Sequence, residues 1–513
     1  MSTQPNVLFI LSDQHHAQVM SCRDHPDVET PNLDALAGDG VLFENAITQN
    51  PICTPSRVCF LSGQYCHNHG YYGLSGPNPG GLPNLLGHFR RYGYATTAIG
   101  KIHCPEYWIE DDADVFHETC DCSIGGRSRK YQGYLDQKGV DEDHQALIEI
   151  GPRGWKQGVD GRPSLFSYED SMEGWSVREA ADFMRACRDE GKPFFAHVSL
   201  PKPHQCYTPA QEFWDLYEDK ELTLPPNADY DLAAGRKAPH LIAAAEHWRK
   251  GGWTVFDPPG FEAGRLRKLQ GYLGSVSQVD HAVGELMSFL DQTGLGEDTI
   301  VVYSADHGDY VCQHGIMEKA PGICSDAITR IPMIWRVPGR TKGGHTPASL
   351  VEAVDMAPTL CGLAGLPAMP TADGKDISAL LGGGDEPVRS AAFTEFAWSK
   401  SVRKGPWRLV WYPREFFAEE YPDGFGELYN LDDDPWEMSN RWFDDDVRNV
   451  RADLQRELAD WLVTTTRPTT ILTQAWLKGE YVRRRYNNDV LADGSVPPEY
   501  ISERVRANRK NYL

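Results

Sequence analysis

Four short apolar runs, each closing on a cluster of polar residues, constrain this chain more than any other feature. "NVLFILSDQ" ends on Asp13, "YATTAIGKIH" on Lys101 and His103, "PFFAHVSLPKPH" on His204, and "TIVVYSADHGD" on Asp306 and His307. Runs this short and this rich in β-formers are buried strands rather than helices. Helical patterns lie between them. Leu273, Val276, Val279, Val283, Leu286 and Leu290 recur at threes and fours, which predicts one apolar helix face. Thr30-Pro31 predicts another helix start, with Leu33 and Leu36 inward and Gly38 or Gly40 closing it. Strands alternating with helices imply an α/β fold, a mostly parallel sheet sandwiched by helices. Ligands of such sheets bind beyond the carboxyl ends of the strands. The four polar clusters are therefore expected to meet at one site, although any one alone reads equally well as a solvated loop.

A chain of 513 residues exceeds one simple core. The expected division is a catalytic domain over residues 1–385, a smaller C-terminal α+β domain over 386–478, and a tail over 479–513. "SVRKGPWRLVWYP" and "GELYNL" read as antiparallel strands, and "VRADLQRELADWLVTT" as a helix packed on them. Residues 104–180 and 205–265 show weak periodicity and read as long insertions over the site, where substrate-selecting loops usually lie. The tail carries seven Arg or Lys against five acids on an otherwise acidic protein. It is an expected arm onto a neighbouring subunit, which implies a homo-oligomer; a frayed terminus is the alternative.

The formal net charge of −23 repels phosphate backbones and argues against a nucleic-acid partner. A small anionic substrate would need a local positive site. The N-terminal apolar run, Val7 to Leu11, is too short for a secretory signal. No run approaches the roughly 20 apolar residues of a membrane span. The expectation is a cytoplasmic protein without a membrane partner, whose twelve cysteines are reduced rather than bridged.

Asp13-Gln14 and Asp306-His307 each follow a predicted strand. Two carboxylates, an amide oxygen and an imidazole suit a divalent cation. The oxygens favour calcium, magnesium or manganese, and the imidazole tilts toward manganese or zinc. Arg57, Lys101, His103, His204 and Lys319 would bring positive charge and proton donors to the same pocket, as cleavage of an anionic ester requires. His314 is a weaker candidate on the loop of Lys319. Cys53, in "NPICTPSRVCFLSG", is expected at a helix N-terminus, with Thr54 as the cap and Pro55 as the first helical residue. It could be an inert thiol, although Cys59 fits that role better. A zinc cluster of Cys53, Cys59, Cys66, His67 and His69 lacks the usual short spacing. A thiol nucleophile would need His and Asn or Asp partners, but no metal ligands nearby.

"CTPSR" resembles the C-x-P-S-R signature of the type I sulfatases, in the alkaline phosphatase superfamily. The likeness runs in order through "NVLFILSDQ", "TPNLDALAGDGVLFENAI", "YGYATTAIGKIH", "SADHGD", "VDMAPTLCGLAG" and "ELYNLDDDPWEMSN". It implies an alkaline-phosphatase-like α/β fold with a smaller C-terminal domain bearing a short antiparallel sheet. It also implies oxidation of Cys53 to Cα-formylglycine by a formylglycine-generating enzyme. The hydrated aldehyde, held by the metal and near Arg57, would attack the sulfur of a sulfate monoester. Lys319 and His204 would contact sulfate and the leaving oxygen, Lys101 would hold the formylglycine, and His103 would take the proton that expels sulfate. The implied ion is calcium. The pairs Asp13-Gln14 and Asp306-His307 depart from the commoner Asp-Asp and Asp-Asn, resemble the choline sulfatase and phosphonate monoester hydrolase branches, and make manganese the alternative. The Lys101 and His103 pair resembles the sulfatases, so sulfate esters are expected over phosphonates or phosphodiesters.

Overall fold

The computed structural model describes residues 4–74, 81–105, 107–121, 126–127, 129–139, 159–164, 166–249, 255–256, 261–319 and 323–467. The expected tail over 479–513 lies outside them.

A seven-stranded sheet organises the molecule. Its strands are β1 (Asn6–Asp13), β2 (Val41–Leu42), β3 (Ala95–Gly100), β4 (Val115–Glu118), β5 (Phe194–Pro203), β6 (Thr299–Ala305) and β7 (Met333–Arg336). The order is β2-β7-β6-β1-β5-β3-β4. Strands β6, β1, β5, β3 and β4 run parallel, and β7 is antiparallel to both of its neighbours. All eight residues of β1 are buried, as a central strand covered on both faces requires.

The side-chain period of two sorts β1 between two cores. Val7, Phe9 and Leu11 pack with Val58, Phe60 and Leu61 of helix α2 (Cys53–Ser62). Leu8 and Ile10 pack on the opposite face. They meet Leu33 and Leu36 of α1 (Pro31–Asp39), Met184 of α4 (Met172–Glu190), and Val283 and Leu286 of α5 (Phe261–Thr293). The short α3 (Cys66–His69) follows α2. The α1 and α5 patterns in the sequence thus form the expected helices. The region read as weakly periodic, 104–180, includes the first half of α4, whose Trp175, Ala180, Met184 and Cys187 are buried. Charges throughout its exposed face obscure that stripe.

Strands β8 (Ala391–Glu395), β9 (Lys400–Lys404), β10 (Trp407–Trp411) and β11 (Gly426–Asn430) form an antiparallel sheet in sequence order. Helix α6 (Arg448–Thr465) packs on it through Leu454, Leu458 and Trp461, with Trp461 stacked on Phe393 at 4.5 Å. This cluster includes Cys59, Tyr65 and Cys66, so the small sheet leans on the end of α2. Among the described residues no helix is long and apolar enough to cross a membrane.

Four buried histidines make the fold acid-sensitive. Burial holds His15 and His240 down at about 4 and His16 and His197 at about 3. His197 is fully buried and stacks on Phe9. The unfolded chain takes up these protons near pH 6.5 and the folded one does not. Stability is therefore full above pH 6.5 and falls as pH drops toward 4. Between pH 7 and 5 each such histidine is expected to cost about 2 kcal/mol. Urea midpoints at the two pH values check this; equal midpoints would contradict it.

Candidate active site

The register brings the distant polar clusters together. Asp13 ends β1 beside Pro203 of β5, Ser12 pairs with Ala305 of β6, and Lys101 follows β3. Gly100 shows why that junction is glycine. Its φ is +103°, and a Cβ there would fall 1.8 Å from the Ser199 carbonyl oxygen. The close approach lets the Lys101 N–H donate to that oxygen at 2.8 Å.

Cys53 is the first residue of α2, with Ile52 as an extended N-cap. This corrects the expected cap. Asn50 Oδ1 accepts from the Ile52 N–H at 3.0 Å and starts the turn two residues earlier. Thr54 Oγ1 instead donates to the Leu74 carbonyl at 3.1 Å. Pro55 fits the first turn because an N–H there has no intrahelical partner.

Arg57, one turn on, is fully buried. Its Nε donates to Asp306 Oδ2 at 2.9 Å and one terminal nitrogen to Asp13 Oδ2 at 2.9 Å. The other donates to the Lys101 carbonyl at 2.5 Å and Ser199 Oγ at 2.7 Å. Burial opposes its charge, but Asp306 and Asp13 overcome it and hold Arg57 above its ordinary value. It is a strut between two carboxylates. Ser199, which sequence reasoning did not single out, completes this strut; nothing in its strand sequence marks it.

Asp13 Oδ2 also lies 2.6 Å from Lys101 Nζ. Burial disfavours the Asp13 carboxylate, yet Lys101, His204, Arg57 and His307 together keep it well below the usual carboxylate range. His307 Nδ1–H donates to the Gly308 carbonyl at 2.9 Å, which leaves the Nε2 lone pair facing Cys53 Sγ at 3.2 Å. Donor atoms of Asp13, Cys53, Asp306 and His307 all lie within 4.8 Å of one another. Two carboxylates, a sulfur position and an imidazole with its outer nitrogen already tied fit a divalent ion.

Gln14 borders this group. Its Nε2 donates to Asp309 Oδ2 at 2.7 Å, and its Oε1 accepts from Lys319 Nζ at 2.8 Å. Lys319 also donates to His204 Nε2 at 3.2 Å, while His204 Nδ1–H donates to the Gln205 carbonyl at 2.7 Å. Burial disfavours the Lys319 ammonium, but Cys53, Glu318 and Asp13 raise it above its ordinary value. Burial, then Lys101 and Lys319, hold His204 neutral. Burial, then Lys101 and Arg57, do the same to His103, both of whose ring nitrogens lack a partner.

His314 is placed elsewhere. It faces Asn227 at 3.4 Å and the Tyr310 ring, with Lys237 and Arg408 nearby. Cys59, Cys66 and His69 gather in a separate group, so Cys53 does not join them. Asp309 was not singled out from the sequence, although it closes the quoted "SADHGD". Its carboxylate accepts from Gln14, from Tyr207 Oη at 2.8 Å, and from the N–H groups of Val311 at 2.7 Å and Glu318 at 2.9 Å. Burial, then Asp13, push the Cys53 thiol up to about 12.

The family model described as Sulfatase matches residues 5–366. A second, described as N-sulphoglucosamine sulphohydrolase, C-terminal, matches residues 313–463. Choline-sulfatase of Rhizobium meliloti (strain 1021) is 28% identical over 451 residues, covering 85% of this chain and 82% of its own. An arylsulfatase of Clostridium perfringens is 27% identical over 465 residues, covering 85% and 90%. In fold, the chain is similar to the phosphonate monoester hydrolase SpPMH from Silicibacter pomeroyi, with a TM-score of 0.75 at 24% identity over 90% of this chain and 96% of that one.

Proposed function

The chain belongs to the sulfatase family and is a sulfuric ester hydrolase, and we propose that it cleaves small anionic sulfate monoesters through a Cα-formylglycine made from Cys53. The observation that carries this reading is the position of Cys53. Its sulfur sits among three candidate metal ligands, at the start of the helix that carries the CTPSR motif. An aldehyde formed at that carbon would set an oxygen, in place of the sulfur, among those ligands. When present, formylglycine would supply a hydroxyl nucleophile and a carbonyl-forming route for releasing sulfate.

The remaining roles follow from what each residue can do. Asp13, Asp306, His307, the residue-53 side chain and the Gln14 amide oxygen would hold one divalent ion. Calcium is the first choice and manganese the alternative; the ion would draw charge from the sulfuryl oxygens. Arg57 fixes the two carboxylates. Lys101 and Lys319 add charge that favours a sulfate group. Lys319 and His204, hydrogen-bonded to each other, would contact the sulfate and the leaving oxygen, with the Lys319 ammonium as the proton donor. His103, neutral with free ring nitrogens, can accept the proton whose loss expels sulfate. We extend the proposal to maturation by a formylglycine-generating enzyme, to a cytoplasmic location and to a homo-oligomer.

Peptide mass spectrometry tests the central claim. Trypsin cutting after Arg23 and Arg57 isolates Cys53 as the sole cysteine of its peptide. Loss of the sulfur in favour of an aldehyde is expected in active enzyme, and a fully active enzyme with an intact thiol would refute the mechanism. Comparing kcat/KM for an aryl sulfate and the matching phosphonate monoester tests the substrate class. The sulfate is expected to be preferred, and a clear phosphonate preference would overturn that choice.

Asp309 provides a test of Gln14. A carboxylate only accepts, so it directs the Gln14 amide nitrogen to itself and the oxygen toward Lys319. Asp309→Asn would set an amide nitrogen opposite Gln14 and favour the flipped amide. Metal affinity is expected to fall by roughly 10–100-fold, with kcat partly recovered at saturating metal. Unchanged affinity in a metal titration would remove Gln14 from the ligand set.

A further inference from the structure

Cys59, Cys66 and His69 form a second cluster that the proposed chemistry leaves unused. Cys59 Sγ lies 3.6 Å from Cys66 Sγ and 3.2 Å from His69 Nε2. Both cysteines are wholly buried. The two sulfurs come together because α2 stops at Gly63, whose φ is +69°, and α3 starts three residues later. The pair is seven residues apart in sequence and sits under the small sheet, beside Trp461 and Phe393.

The imidazole tells a metal site from a redox pair. His69 Nδ1 accepts the Tyr71 N–H at 3.1 Å. The neutral ring then carries its proton on Nε2, which faces Cys59 Sγ as a donor. A metal-bound histidine needs that nitrogen free and normally donates from the other. A donor aimed at sulfur orients the thiol and leaves no lone pair for an ion.

We propose that Cys59 and Cys66 are a modification site that takes a low-molecular-weight disulfide as its oxidant and closes to an intramolecular disulfide. While the chain is still open, before both sulfurs are buried, one protein thiol exchanges with the oxidant RSSR and releases RSH. The second then attacks the protein sulfur of the mixed disulfide, breaks its bond to SR, and its proton leaves on a second RSH. Two protein S–H groups and one RSSR thus become one protein S–S bond and two RSH. The sulfurs start in van der Waals contact and must close to about 2.05 Å. The bond would clasp the end of the helix that begins with Cys53 to the segment that follows. It would also remove Cys59 as a competing thiol partner for Cys53, six residues away.

Trypsin also makes this readable. Cleavage after Arg57 and Arg90 yields one peptide that contains Cys59, Cys66 and no other cysteine. Reduced wild-type enzyme is unfolded and refolded in excess oxidised glutathione until its thiol count is constant, then denatured, alkylated and digested. The peptide is expected to lose both alkylation sites and to be lighter by two hydrogens than its reduced form. In Cys66→Ala, Cys59 is expected to appear alkylated or as a mixed disulfide with glutathione. Two fully alkylatable thiols at constant count in the wild type would overturn the proposal. So would zinc or copper retained at one ion per chain in the wild type and lost in Cys66→Ala, which would assign the cluster to a metal.

Discussion

Cys53→Ser, expressed in an aerobic host, is expected to lose on the order of 10⁵-fold in kcat/KM toward an aryl sulfate, the scale seen when a covalent nucleophile is removed. The usual aerobic maturation reaction oxidises cysteine, so the variant keeps a plain hydroxyl. That hydroxyl could at most accept one sulfuryl group, and the resulting ester would need water to attack a crowded centre. The substitution is small and the neighbours survive it. Asp13 keeps Lys101 and Arg57, and His307 keeps its Gly308 hydrogen bond. Metal content and thermal stability are therefore expected to stay close to wild type. Near-wild-type turnover would sink the mechanism, and metal loss alongside the activity loss would show that residue 53 contributes more to the metal than to the attack.

Asp306→Ala is expected to remove bound metal and to destabilise the fold by about 3–5 kcal/mol, the usual cost of stripping one partner from a buried ion pair. Asp306 accepts from Arg57 through Oδ2 and from the Gln14 and His307 N–H groups through Oδ1. Its loss leaves part of a fully buried guanidinium uncompensated, because the remaining carboxylate, Asp13, is already shared with Lys101. Metal analysis and denaturant melts read the two effects separately. Stability unchanged from wild type would mean that Arg57 finds another acceptor; unchanged metal content would take Asp306 off the ligand list.

The sequence made the main sheet legible because its central strands are apolar throughout and end abruptly in charge. That pattern placed Asp13, Lys101, His204, Asp306 and His307 at strand ends before any geometry was known. It failed where a helix carries charge around most of its circumference. In α4 the buried Trp175, Met184 and Cys187 are separated by arginines and acids that mask the stripe. It also failed where a residue acts through another. Ser199 and Asp309 touch Arg57 and Gln14, and a contact across 142 or 295 positions leaves no trace in local spacing. His314 misled in the opposite direction: proximity in sequence to Lys319 placed it on the same loop, but the left-handed backbone at Val311, Cys312 and His314 turns its ring toward Asn227.

The complete burial of Arg57 also imposes an order of events. In the folded chain its guanidinium is enclosed by Asp13, Asp306, Lys101 and Ser199, and Cys53 is 1% exposed. An enzyme that recognises "CTPSR" by its side chains can reach neither residue once the central strands have closed. Maturation would thus have a deadline set by folding. A chain that folds faster than it is read would be sealed with an unconverted thiol, and slower folding would raise the active fraction without altering a single contact in the finished protein.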